Sequence, residues 1–64
     1  MDPNATLAAL RAAVLDWEQA VAARDERAQL GAARLALKAA MALDDWLSGG
    51  GFLPAAWRTN RTYL

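Results

Sequence analysis

Between Glu26 and Leu47 the chain is apolar on almost every side of the helix it would form. Stepping about 100° per residue, Leu30, Ala33, Leu37, Ala40, Met41, Leu43 and Leu47 make one broad apolar face. Leu35, Ala39, Ala42 and Trp46 fall on another side, and only a narrow strip with Arg34, Lys38 and Asp45 is plainly polar. A helix apolar nearly all round is buried on more than one side. One neighbouring helix covers one face, so a second cover has to come from the rest of the chain or from another copy.

The neighbour stands just upstream. Asp2 suits an N-cap and Pro3 the first helical position, where its missing N–H costs nothing. Leu7, Leu10, Val14, Trp17 and Val21 then follow at spacings of three and four, an a/d stripe that predicts packing along a second helix. Ala9, Ala13 and Ala20 flank the stripe and would let the partner backbone come close. Trp17, continuing the stripe, is expected in the core. The helix is expected over about residues 3–24.

Arg24, Asp25, Glu26 and Arg27 interrupt the pattern, and Asp25 is a candidate N-cap for a second helix over about residues 26–47. A short connection here predicts an antiparallel hairpin. The stretch holds no Pro or Gly, so one continuous long helix is the rival reading. Gly31 costs its helix about 1 kcal/mol relative to Ala and is expected to mark a close helix crossing.

Ser48 and the glycines at 49, 50 and 51 end the second helix, since glycine suits the left-handed position that closes helices. The tail, 48–64, is expected to fold back through Phe52, Leu53 and Trp57, with 54–57 forming one short turn. Asp44 falls within the apolar face, where a carboxylate needs a partner. Trp57, an arginine or the backbone of Gly49, Gly50 and Gly51 could supply it, which makes these residues a candidate structural cap. The fold expected is all-α: a two-helix hairpin with a folded-back tail. Either two hairpins pair into a four-helix bundle or the tail covers the second face of a monomer.

Composition removes most function classes. With 64 residues there is room for one domain, 1–64, and a chain this short is marginal alone. It has no Cys and no His, which excludes disulfides and the usual structural zinc sites. Seven basic residues balance seven acidic ones, so no global field draws it to nucleic acid or membrane. Asp2, Pro3 and Asn4 stand where a signal peptide would carry positive charge, and no apolar run approaches the roughly 20 residues of a membrane span. A cytoplasmic location is expected, so the two N-x-T triplets, at Asn4 and Asn60, carry no glycosylation meaning. Arginine and alanine are heavily used, as in GC-rich genomes.

Catalysis finds no support. Asp44 and Asp45 lack the further ligands or base that a metal or acid–base site needs. The glycines follow a helix C-terminus, whose dipole repels the phosphate that a glycine cradle would hold. Ser48, Thr59 and Thr62 have no His to activate them. No cofactor is expected. The function expected is a small non-catalytic protein-interaction module with Leu35, Trp46, Phe52, Leu53 and Trp57 as its candidate surface, tryptophan being enriched in binding hot spots. Its partners would be a second copy, as a homodimer or higher, and an unknown protein. The alternative is a nucleic-acid accessory protein using Arg58, Arg61 and Tyr63 of the basic tail, although so few cations make few phosphate contacts.

Residues 43–57, LDDWLSGGGFLPAAW, form a distinctive string. It resembles the end of short uncharacterised proteins from actinobacteria and their phages, which carry L-D-x-W-L-S-x-G-G-F-L-P-x-x-W. The opening Asp2, Pro3, Asn4 and Leu7 are also similar to theirs. The resemblance covers about a quarter of the chain strongly and the helices only in general character. It implies an actinobacterial or actinobacteriophage origin, in the phage case acting in the host cytoplasm, and supplies no mechanism.

Overall fold

The computed structural model describes residues 1–58. They form two long helices and a short third: α1, Pro3–Ala22; α2, Glu26–Ser48; and α3, Ala55–Arg58. The described residues contain no strand. The first helix starts where its cap demands. The Asp2 carboxylate accepts from the backbone N–H groups of Asn4 at 3.0 Å and Ala5 at 3.3 Å, satisfying two of the donors a helix start leaves open. Asp25 caps α2 in the same way, accepting from Ala28 N–H at 3.1 Å.

The two long helices are separate, so the continuous-helix reading falls away. The break is a Schellman closure: Asp25 N–H donates to Ala20 O at 3.0 Å and Arg24 N–H to Val21 O at 3.1 Å. The residue in the left-handed position is Arg24, at φ 56°, where glycine is usual. That conformation is why α1 stops at Ala22 and not at 24. The same motif closes α2 one residue beyond the expected end. Gly51 N–H donates to Trp46 O at 2.8 Å and Gly50 N–H to Leu47 O at 3.1 Å, with Gly50 at φ 92°.

The chain turns through Ala23, Arg24 and Asp25, and α2 packs against α1. Gln29 Nε2 reaches back to Ala20 O at 3.5 Å. The seam between the helices corrects the sequence expectation. Its buried apolar residues are Leu7, Ala13 and Ala20 on α1 and Ala32, Ala39 and Leu43 on α2. Ala13 and Ala20 are seven apart, as are Ala32 and Ala39, so the seam is an alanine heptad on both helices. Small side chains let helix axes approach to about 8 Å, the near end of the packing range. Beyond Leu7, the leucine–valine–tryptophan stripe of α1 does not fill this seam. It lies to one side of it, with Leu10 half-buried and Val14, Trp17 and Val21 exposed. Trp17, expected in the core, keeps 42% of its surface.

Gly31 also departs from expectation. It is exposed, and a Cβ added there would meet nothing within 4 Å, so it marks no helix crossing. The glycine that does carry a close approach is Gly51, where a Cβ would run into the indole ring of Trp46. Beyond it the tail is tied back to the start of α1. Ala55 N–H donates to Asn4 Oδ1 at 2.7 Å. Pro3 and Pro54, which precede the two bonded residues, are both fully buried. Pro54 O then accepts from Trp57 N–H at 3.0 Å and Arg58 N–H at 3.3 Å, which closes the single turn of α3.

Candidate interaction surface

An alanine seam leaves the large apolar side chains on its flanks. On one flank Leu10, Val14 and Trp17 of α1 stand along Ala33, Ala36, Leu37 and Ala40 of α2, lining an open groove of about 370 Å³. Val21, Leu30 and Met41 extend the same apolar surface by their helical positions. Leu37 keeps 62% of its surface and Met41 59%. Such contiguous exposure of large side chains marks interaction surfaces, whereas single exposed apolar residues do not. Charged residues stand at the borders of this flank: Arg11 and Glu18 beside the α1 row, Arg34 beside the α2 row.

The opposite flank is different. Ala5, Thr6, Ala9, Ala12 and Asp16 face Leu35, Lys38 and Ala42 across a trough of about 540 Å³. Leu35 is its one large apolar side chain, and it is 59% exposed. The residues expected to act together with Leu35 lie about three turns along α2 and beyond. Trp46 is half-buried there, its Nε1–H donating to Phe52 O at 2.9 Å. The Phe52 ring meets the Trp46 indole edge to face at a centroid distance of 5.4 Å. Phe52 and Leu53 are exposed and Trp57 is half-buried. The structure therefore brings Trp46 and Phe52 together and leaves Leu35 apart from them.

The glycine turn is closed by its own backbone. Gly49 N–H donates to Asp45 O at 3.0 Å, and the Gly50 and Gly51 bonds complete the cap. Asp44 takes no part in that closure. It is exposed on α2, and the tryptophan that reaches over the turn is Trp46, not Trp57. The string at 43–57 thus reads physically as a helix stop and return: a tryptophan, a left-handed glycine, a glycine without room for a Cβ, and a buried proline. Arg58 is exposed at the end of α3, and Arg61 and Tyr63 lie outside the described residues.

The described residues hold no group of His, Cys, Asp and Glu arranged to bind a metal ion. No helix among them is long and apolar enough to cross a membrane. Set beside protein-family models, curated proteins and solved structures, the chain matches none. The reading of this surface rests on its own geometry.

The sequence predicts an apolar face of α2 left without cover by α1, but does not say that Leu30, Leu37 and Met41 are on it. A signal for the true seam was present. Alanines recurring every seventh residue in both helices define a narrow line on which the backbones can meet, and the larger side chains must then stand outside it.

Proposed function

We propose that this chain is a small non-catalytic protein-interaction module: an antiparallel helical hairpin that pairs with a second copy into a four-helix bundle. The observation that carries the reading is the exposed row Val14, Trp17, Val21, Leu30, Leu37 and Met41 beside a seam made mostly of alanine. Each buried alanine methyl contributes about 0.8 kcal/mol, so the seam alone stabilises the hairpin weakly. Burying the rest of each exposed large side chain is worth about 1 kcal/mol. Two copies bring a dozen of them, a gross gain on the order of 10 kcal/mol. That is the same size as the roughly 4–15 kcal/mol that association costs. Self-pairing also answers the demand for a second cover on α2.

The resemblance of residues 43–57 supports an accessory or host-modulating protein of actinobacteriophage origin as its setting. Sedimentation equilibrium at micromolar concentration tests the pairing, with an expected mass of twice the 6.9 kDa chain. Leu37→Glu, placing a charge in the middle of the row, is expected to return the mass to that of one chain while far-UV circular dichroism keeps its helical shape. A wild-type mass of 6.9 kDa at that concentration would remove the reading.

A further inference from the structure

We infer that the second copy docks with its turn at the same end of the bundle, the two-fold axis running along the helices, so that α1 of each copy faces α2 of the other. This rests on the self-pairing proposed above and concerns how the same apolar flank is matched. The two rows of that flank differ in bulk. The α1 row, Leu10, Val14, Trp17 and Val21, holds no small residue, whereas the α2 row, Leu30, Ala33, Leu37, Ala40 and Met41, holds two alanines. In the groove Trp17 stands near the level of Ala33, Val14 near Leu37 and Leu10 near Ala40, since these residues line it together and the chain reverses between them.

Two closed arrangements are open to a pair of hairpins meeting on one flank. An axis along the helices preserves each residue's level and exchanges the rows. Trp17 then faces Ala33 of the partner subunit, Leu10 faces Ala40 of the partner subunit, and Val14 faces Leu37 of the partner subunit. The two bulkier α1 residues, Leu10 and Trp17, thus meet alanines, and the smaller Val14 meets Leu37, which keeps the summed bulk of the layers similar along both rows. An axis across the helices instead lays α1 on α1 and α2 on α2. Val14 would then meet Trp17 of the partner subunit, with no small residue anywhere along that contact, while Ala33 and Ala40 leave gaps along the other. One side of the bundle would be wedged open and the other underfilled, both of which cost packing. The edge charges suit a second copy in either arrangement: Glu18 comes within about a turn of Arg34 of the partner subunit in the first and of Arg11 of the partner subunit in the second.

The two arrangements place the turns very differently, and the chain has no cysteine to interfere with labelling. A spin label on Glu26→Cys, at the exposed first residue of α2, reports the distance between turns in the full-length protein by pulsed dipolar spectroscopy. Turns at one end put the labels about 20 Å apart, roughly two helix diameters. Turns at opposite ends put them roughly 35 Å apart or more, the length of α2 at about 1.5 Å per residue. Ser48→Cys, at the other end of α2, gives the same pair of expectations if the first label perturbs the turn. A short distance from either label supports the arrangement. A long distance overturns it while leaving the self-pairing in place, and a sedimentation mass of one chain with no dipolar coupling would remove the self-pairing itself.

Discussion

The side-chain oxygen of Asn4 accepts the backbone N–H of Ala55 at 2.7 Å, joining residues 51 positions apart. Asn4 sits in the first turn of α1 and Ala55 opens α3, so one amide side chain ties the start of α1 to α3. A typical hydrogen bond of this kind is worth about 1 kcal/mol. Asn4→Ala is expected to lose that much and to release α3, seen as faster hydrogen exchange at the Ala55 amide. Asn4→Asp keeps an acceptor oxygen, adds a negative charge favoured at a helix start, and should retain protection. Equal exchange in wild type and Asn4→Ala would show that the tail is held by apolar contact alone.

Gly51 and Trp46 form the second tie. Gly51→Ala would place a methyl in the indole ring, so either the tryptophan swings away or the turn reopens. The expected cost is about 1–3 kcal/mol, in the range of overpacking. Near-UV circular dichroism should lose Trp46 signal, because its edge-to-face contact with Phe52 depends on the same geometry. Trp46→Phe isolates the polar part of the tie, removing the Nε1–H that reaches Phe52 O. That variant should cost about 1 kcal/mol and leave the glycine cap intact.

Arg24 occupies the left-handed position of the first turn with a side chain that opposes it. A non-glycine residue costs roughly 1–2 kcal/mol there, partly offset in Arg24→Gly by the larger entropy of the unfolded chain. The net expectation is a gain of about 0.5–1 kcal/mol, which for a chain of this size raises the melting temperature by several degrees. Melting is to be compared at one protein concentration, since the proposed pairing would couple stability to concentration. A lower melting temperature would mean that the Arg24 side chain makes a stabilising contact in the folded protein.

Gly31 offers the complementary case. It lies exposed in α2 with open space where a Cβ would go. Gly31→Ala should therefore stabilise by about 0.5–1 kcal/mol through helix propensity alone. The inferred dimer leaves this position outside the contact, so sedimentation should not change. A loss of dimer on adding one methyl at 31 would place the partner on a different flank.

The seam makes the sharpest contrast between neighbouring alanines. Ala39→Leu forces a large side chain between closely approached backbones and should cost about 1–3 kcal/mol, with loss of cooperative melting. Ala12→Leu, on an exposed position of the other flank, should change stability by no more than about 0.5 kcal/mol. Similar effects from the two substitutions would contradict the alanine heptad.

Local rules made much of this fold legible. Asp2 before Pro3 starts α1, Asp25 starts α2, and consecutive glycines close α2, each through bonds between residues a few positions apart. The same locality explains the one weak point, the turn at 24, where a left-handed arginine carries no breaker signal. The candidate surface was less legible. Periodicity identified two apolar stripes on the helices, but Leu10, Val14, Trp17 and Leu37 fit a contact with the neighbouring helix as well as an outward face. The alternative was set by how close the backbones come, a property of both helices together.

By itself, then, the sequence determined where both long helices begin and where α2 ends, because caps, proline and glycine act within a turn of chain. It also excluded disulfides and the usual zinc sites, because the residues they need are missing. Only the tertiary structure decided that Ala13, Ala20, Ala32 and Ala39 are the seam while Trp17 stands outside it. Two apolar lines compete for the same contact, and the one that is buried is the line of small side chains. The bond from Ala55 to Asn4 was settled at the same level, since nothing local relates residues 51 positions apart.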